Sequence, residues 1–244
     1  MKDNFSNHAA DYAQFRPTYP AELYSYLFSL ITDKDFAWDC GTGNGQIAVE
    51  LAKNFNHVWA TDLSEEQLKQ APKRKNIDYE VHIAEKPINE KQKFDLITVA
   101  QAIHWFDFEE FYKSVKLCLK PNGIFAVIGY TVLHTEGALN EVIERFYKKI
   151  TDPYWDPERN YLDDGYLTIP FPFKEEVVPK LEIKVNWEKQ QFLNYLNTWS
   201  AVKHYEKANG HNPLTLIEDE VDLKWGNTEK RDFIFPLLVR VGRL

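Results

Sequence analysis

Along this chain apolar residues recur at intervals of two in some stretches and of three or four in others, and the alternation between the two periods predicts most of the elements. Leu23, Leu27, Leu30 and Ile31 form a helical stripe opened by Pro20-Ala21-Glu22, with proline at the start and an acid in the first turn. Phe36-Ala37-Trp38-Asp39 reads as a buried strand, followed by a glycine turn and an amphipathic helix with Ile47, Ala48, Leu51 and Ala52 inward. His57 to Asp62 reads as a second strand, and Ser64 as the N-cap of a further helix, with Gln67 completing a capping box. Ile77 to Ile83 alternates as a third strand, and Phe94 to Ala100 is the near-continuous apolar run that buried parallel strands show. Phe108, Phe111, Tyr112, Val115, Cys118 and Leu119 make a helical stripe that ends at the turn signal Leu119-Lys120-Pro121-Asn122-Gly123, before a fifth strand from Ile124 to Tyr130. Leu139, Val142, Ile143, Phe146, Tyr147 and Ile150 predict the next helix.

The pattern then changes. Residues 151–175 are rich in proline and aromatics without periodicity, which suggests a packed excursion, read either as a cap over an acceptor pocket or as a surface loop whose rings pack on the body. Leu181, Ile183, Val185 and Trp187 alternate as a sixth strand, and Phe192, Leu196, Trp199 and Val202 continue as one helix. Phe233 to Leu244 suits a closing strand that either begins after Pro236 or bulges there, because proline removes a ladder donor. Five strands alternating with helices predict a doubly wound α/β fold with a mostly parallel sheet, which the C-terminal strands extend to seven.

Composition narrows the function. The 244 residues suit one domain, with 1–20 as an N-terminal arm and 151–175 and 189–228 as cap insertions on the acceptor side. A net charge of −8 argues against nucleic acid as a partner, since a phosphate backbone calls for a basic surface. Cys40 and Cys118 are too few for a disulfide framework or a zinc site, so both are read as reduced core residues and no metal is expected. Without an apolar signal core or an apolar run of membrane-spanning length, the chain is expected to be cytoplasmic and off the membrane, as a monomer or homodimer.

The candidate chemistry begins at Trp38 to Gln46. Gly41, Gly43 and Gly45 alternate after Asp39, whereas a dinucleotide fingerprint needs G-x-G-x-x-G and a phosphate loop needs G-x-x-x-x-G-K-[ST]. Glycines there let a ligand approach the backbone, and an acid at the strand end repels a pyrophosphate but suits an ammonium group. The pattern resembles motif I of the class I S-adenosylmethionine-dependent methyltransferases; an NAD site and a purely structural turn are the other readings. The resemblance implies cofactor contacts from Asp39, Gly41, Thr42, Gly43 and Gln46. Asp62 lies 19 residues after Gly43 at the end of the next strand, where an acid beside Leu63 would hold a ribose diol; helix capping is its bland alternative.

Two further segments sharpen the resemblance. Phe5 to Pro20 and Ala100 to Asp107 (AQAIHWFD) are similar to the trans-aconitate methyltransferase-like subfamily, as are LKPNG, WSAVKHY and the terminal VRVGRL. That likeness implies an arm folded over the methionine end of S-adenosylmethionine, with Arg16 pairing the cofactor carboxylate and Tyr12 or Tyr19 closing over the sulfonium. It places Ala84 and Glu85 beside the adenine, although an exposed Glu is equally an ordinary solvated residue. It sets Gln101 and Ala102 against the cofactor, with His104 and Trp105 facing the transferred methyl or the adenine side. Tyr19, Trp105, Trp155 and Trp199 would line the substrate side. The expected function is a small-molecule methyltransferase acting on a carboxylate oxygen, with His104 a positioning donor; N- or C-methylation, a silent cofactor-binding regulator and an NAD-dependent oxidoreductase are the alternatives.

Overall fold

The computed structural model describes residues 15–244. β1 (Phe36–Cys40), β2 (His57–Asp62), β3 (Ile77–Val81), β4 (Phe94–Ala100) and β5 (Leu119–Tyr130) pair in parallel in the order β3-β2-β1-β4-β5. The short β6 (Lys174–Glu175) and β7 (Glu182–Glu188) both pair antiparallel with the last strand, β8 (Lys230–Arg243), which itself runs antiparallel to β5. The sheet therefore has eight strands rather than the expected seven, the addition being the two-residue β6.

Alternation along the strands sorts side chains to two faces. Trp38, Ile97, Val99, Phe125 and Val127 pack into one core, and Ala37, Leu96, Ile124, Ala126 and Ile128 into the other. α4 (Phe108–Cys118) lies against the first of these cores, while α1 (Ala21–Ser29) and α2 (Gln46–Leu51) cover the second. α3 (Glu65–Lys69) is capped by Ser64, whose Oγ accepts the Gln67 N–H at 3.2 Å. Asp95 ties the start of the sheet: its Oδ2 accepts the N–H groups of Asp35 and Phe36, both at 3.0 Å, while Lys120 pairs with Oδ1 at 2.7 Å.

Three expectations are corrected here. Leu119 to Gly123 is not a turn ahead of β5 but the irregular opening of β5 itself, where Phe94 pairs Leu119 and the register then shifts before Leu96 pairs Ile124. Pro236 neither starts nor bulges β8, which runs straight through it. The proline stands where β8 hands over from β7 (Glu182↔Pro236) to β5 (Tyr130↔Leu237), so its missing donor falls at a change of partner. The helix read across Phe192 to Val202 breaks at Thr198-Trp199 into α7 (Lys189–Asn197) and α8 (Ser200–Asn209), numbered after α5 (Leu139–Arg145) and α6 (Asn160–Asp163). With α9 (Glu218–Trp225), these C-terminal helices and β7 enclose a third core built on Phe146, Phe192, Tyr195, Trp199, Phe233 and Phe235. Residues 151–175 are more regular than expected, with short turns at Asp152–Tyr154 and Pro157–Arg159 before α6.

Candidate active site

The carboxyl ends of β1, β2, β4 and β5 open onto one cleft, as an open α/β sheet places its ligands. Asp39, at 1% exposure, is the penultimate residue of β1 and lines the cleft. Its Oδ2 accepts the Thr42 hydroxyl at 2.5 Å and its Oδ1 accepts the Thr98 hydroxyl at 2.7 Å, so the acid binds the glycine turn to β4. Burial pushes its pKa up to about 6 against these hydroxyl donors, which act to lower it.

The glycines serve different ends. Gly41 has φ +68°, and a Cβ there would stand 2.6 Å from the Ala102 Cβ, so glycine lets the turn lie against the end of β4. At Gly43, with φ +55°, a Cβ would meet nothing within 4 Å except Gln67 Oε1 at 3.9 Å, so that position faces the open cleft. Asp62 latches the same turn: its Oδ2 accepts the Gly43 N–H at 2.8 Å and its Oδ1 accepts the Ser64 N–H at 2.9 Å. Asp62, Leu63, Thr42 and Gln46 all line the cleft.

At the end of β4, Gln101 adopts φ +54°, a left-handed conformation costly for a residue with a side chain and held by its surroundings. Its N–H reaches Ile128 O at 2.8 Å and its Nε2 donates to Tyr130 O at 3.3 Å. Gln101, Ala102 and Trp105 line the cleft, as do Arg16 and Tyr19 from the segment ahead of α1. Arg16 donates from Nη1 to the Tyr130 hydroxyl and from Nη2 to Thr198 O, both at 3.2 Å, with its guanidinium 5.4 Å from the Tyr195 ring centre. Tyr12 lies outside the described residues.

Four expected site residues are placed elsewhere. His104 is buried within the turn Ile103–Trp105 and does not line the cleft; its Nδ1 shares a 3.2 Å hydrogen bond with the Tyr166 hydroxyl, and its ring packs 5.0 Å from that of Trp105. Burial, then the charge of Arg159, lowers its pKa to about 3, so the imidazole is neutral at physiological pH. Glu85 turns away from the cleft, its Oε1 accepting the N–H of Asp107 at 3.1 Å ahead of α4, while Ala84 does line the wall. Trp155 and Trp199 pack against each other at a tilt of 48° with ring centres 5.4 Å apart and join Tyr147 in the third core, because the aromatic rings of the excursion bury against the body before they can be offered to a ligand.

Other lining residues escaped the sequence reading. His82 follows β3 as Leu63 follows β2, but the alternation that runs on to Ile83 masks it as a strand residue. Tyr130, the last residue of β5, had a signal in its position. Gln67 carried only its capping role, yet at 3% exposure its side chain reaches the wall of the cleft. Among the described residues no cluster of His, Cys, Asp and Glu could hold a metal ion, and no helix is long and apolar enough to cross a membrane.

A family described as a methyltransferase domain matches residues 38–127, from β1 into β5. A methyltransferase of Dictyostelium discoideum is 35% identical over 249 residues, spanning 99% of this chain and 95% of that protein, and a methyltransferase of Aspergillus candidus is 31% identical over 94% of this chain and 82% of its own. The solved structure of a type II methyltransferase from Anaeromyxobacter dehalogenans superposes with a TM-score of 0.86 at 35% identity, covering 94% of this chain and 98% of that one. With acid-ended strands and a glycine turn around a cleft at their carboxyl ends, this chain belongs to the class I S-adenosylmethionine-dependent methyltransferases and is an enzyme that uses S-adenosylmethionine as its methyl donor.

Proposed function

We propose that the enzyme methylates a small organic acid at a carboxylate oxygen. The observation that carries the reading is the state of His104: neutral, bonded to Tyr166 and outside the cleft, it is not placed to take a proton from an acceptor. A carboxylate is ionised at neutral pH and needs no base, whereas an ammonium or phenol must first lose a proton. His82 does line the cleft, but at the β3 end, three strands from β4 in the sheet order, on the order of 14 Å at the usual strand spacing.

The residues fit the cofactor in this orientation. Asp62, Leu63 and Ala84, at the ends of β2 and β3, would hold its adenosine, and Arg16, the one cation among the described lining residues, would pair its carboxylate toward β4 and β5. Gly43 leaves open the space that a bound nucleoside needs. When bound, S-adenosylmethionine supplies an electrophilic methyl group. The protein then has to hold the acceptor in line and keep water away, effects together capable of several kcal/mol. Trp105 and Tyr19 would wall the acceptor side, and Gln101, whose Nε2 donates to the Tyr130 carbonyl, lines the same cleft. The likeness of AQAIHWFD to the trans-aconitate methyltransferase-like subfamily supports an acid as acceptor.

The test is a panel of di- and tricarboxylic acids, amines and phenols, with S-adenosylhomocysteine formation followed between pH 5.5 and 8. Expected is turnover of a carboxylic acid to an alkali-labile ester, with no kinetic limb near pH 6.5. Turnover confined to an amine or phenol, with such a limb lost in His104→Gln, would overturn the reading.

A further inference from the structure

We propose that Gln67 is a ribose-binding residue, sharing the cofactor's vicinal diol with Asp62. The inference rests on the placement of the adenosine against Asp62 given above. Gln67 is 3% exposed and lines the cleft, and its Oε1 is buried with no hydrogen-bond partner among the described residues. A buried acceptor left unpaired is costly, and a leucine or methionine would fill the same volume without that cost. A ligand donor arriving at the cleft wall resolves the conflict.

The neighbours identify the donor. The Ser64 hydroxyl accepts the Gln67 N–H at 3.2 Å, which fixes the residue in the first turn of α3, and Oε1 lies 3.9 Å from where a Cβ of Gly43 would stand. The N–H of that same Gly43 is bound 2.8 Å from Asp62 Oδ2. A carboxylate and an amide carbonyl therefore bracket one glycine whose missing side chain leaves room above it, and a pair of adjacent O–H donors matches two such acceptors. Asp62 also holds the Gly43 and Ser64 backbone amides, so dividing the two hydroxyls between Asp62 and Gln67 relieves one carboxylate of serving both loops and the whole diol. On that placement the adenine amine would fall on the β3 side of the cleft, where Ala84 and His82 line the wall.

The test is calorimetric titration of wild type, Gln67→Leu and Gln67→Glu with S-adenosylhomocysteine, its 2′-deoxy and 3′-deoxy analogues, and S-inosylhomocysteine. Thermal melts without ligand confirm that each variant is folded. Gln67→Leu should bind S-adenosylhomocysteine roughly tenfold more weakly, the usual scale when a buried partner is removed, while Gln67→Glu, which keeps the acceptor, stays within about threefold. One deoxy analogue should bind wild type and Gln67→Leu equally, because the hydroxyl that Gln67 accepts is already gone. Equal binding of S-adenosylhomocysteine by wild type and Gln67→Leu would overturn the proposal. So would an equal loss with both deoxy analogues, which marks packing, or a loss that disappears only with S-inosylhomocysteine, which marks adenine. Failure of the underlying placement reads differently: Asp62→Asn would leave both deoxy penalties of the wild type unchanged.

Discussion

The Nδ1 of His104 stands 3.2 Å from the hydroxyl of Tyr166, and both side chains are buried. Tyr166 is itself pressed onto the sheet, its Cε2 lying 2.6 Å from where a Cβ of Gly129 would be, and its carbonyl accepts Arg240 Nη1 at 2.9 Å. The pair thus fastens the excursion after α5 to the turn that follows β4, and it does so with a neutral imidazole.

That neutrality has a pH signature. The folded-state pKa of His104 is lowered from 6.5 to about 3, so the unfolded chain takes up the proton first as pH falls. The stability this group contributes is complete above pH 6.5 and declines between there and about 3, at a limit of roughly 1.4 kcal/mol per pH unit. Denaturant unfolding at pH 7, 6, 5 and 4 should show wild type losing ground to His104→Gln at each acid step. A difference between the two that does not change with pH would mean that the histidine is solvated.

Asp39 works with the opposite sign. Its pKa is raised from 3.8 to about 6, so the folded state keeps a proton that the unfolded chain has released, and the stability it contributes is present below 3.8 and lost as pH rises through 6. Between pH 4 and 6 the two groups offset each other. Asp39→Asn removes one arm: from pH 4 to 7 the variant should gain on wild type by an amount on the order of 3 kcal/mol or less. A ligand ammonium beside Asp39 favours the carboxylate, so S-adenosylmethionine binding near pH 6 should release a proton, read as a dependence of the binding enthalpy on the buffer. Enthalpies identical in buffers of different ionisation heat would place that ammonium elsewhere.

The glycine turn separates strain from ligand access. Gly41→Ala meets both a left-handed backbone and the Ala102 Cβ at 2.6 Å, so it should cost about 2–4 kcal/mol of stability as well as cofactor affinity. Gly43→Ala meets the same kind of backbone but no close neighbour, so it should cost about 1–2 kcal/mol of stability while its side chain intrudes on the ligand. The larger ratio of lost affinity to lost stability is therefore expected at Gly43, from melts and titrations of both variants. The reverse ratio would mean that Gly41, not Gly43, faces the ligand.

What could be read from the sequence follows from where the signal is local. β1 and β4 are buried on both faces, so their apolar runs mark them without knowledge of any partner, and the acids ending β1 and β2 follow from the same runs. The eighth strand could not be read, because Lys174–Glu175 is a strand only by virtue of Arg243 and Gly242 opposite it. His104 shows the limit in the site: the motif places it at the end of β4, but whether the imidazole faces the cleft or Tyr166 depends on the φ of Gln101 and on a ring 62 residues away. Trp155 and Trp199 misled for a related reason, since their partners are each other, 44 positions apart in sequence.

Asp62 tests whether latch and ligand contact can be told apart. Asp62→Ala removes the acceptor for the Gly43 and Ser64 N–H groups together, so it should lower stability by about 1–3 kcal/mol even without ligand, and it should weaken S-adenosylmethionine binding by a similar amount. Asp62→Asn keeps one carbonyl oxygen and turns an NH₂ toward the other donor, so one latch survives and the other becomes a repulsive donor pair. If the glycine turn depends chiefly on the Gly43 contact, Asp62→Asn should melt between wild type and Asp62→Ala, and Asp62→Ala should expose the backbone amide of Gly43 to faster hydrogen exchange. Cofactor affinity then decides the second role: it should drop in both variants by more than their stabilities explain. Full affinity in Asp62→Asn, with the Gly43 amide exchanging as in wild type, would leave Asp62 a latch alone and move the ribose contact off this residue.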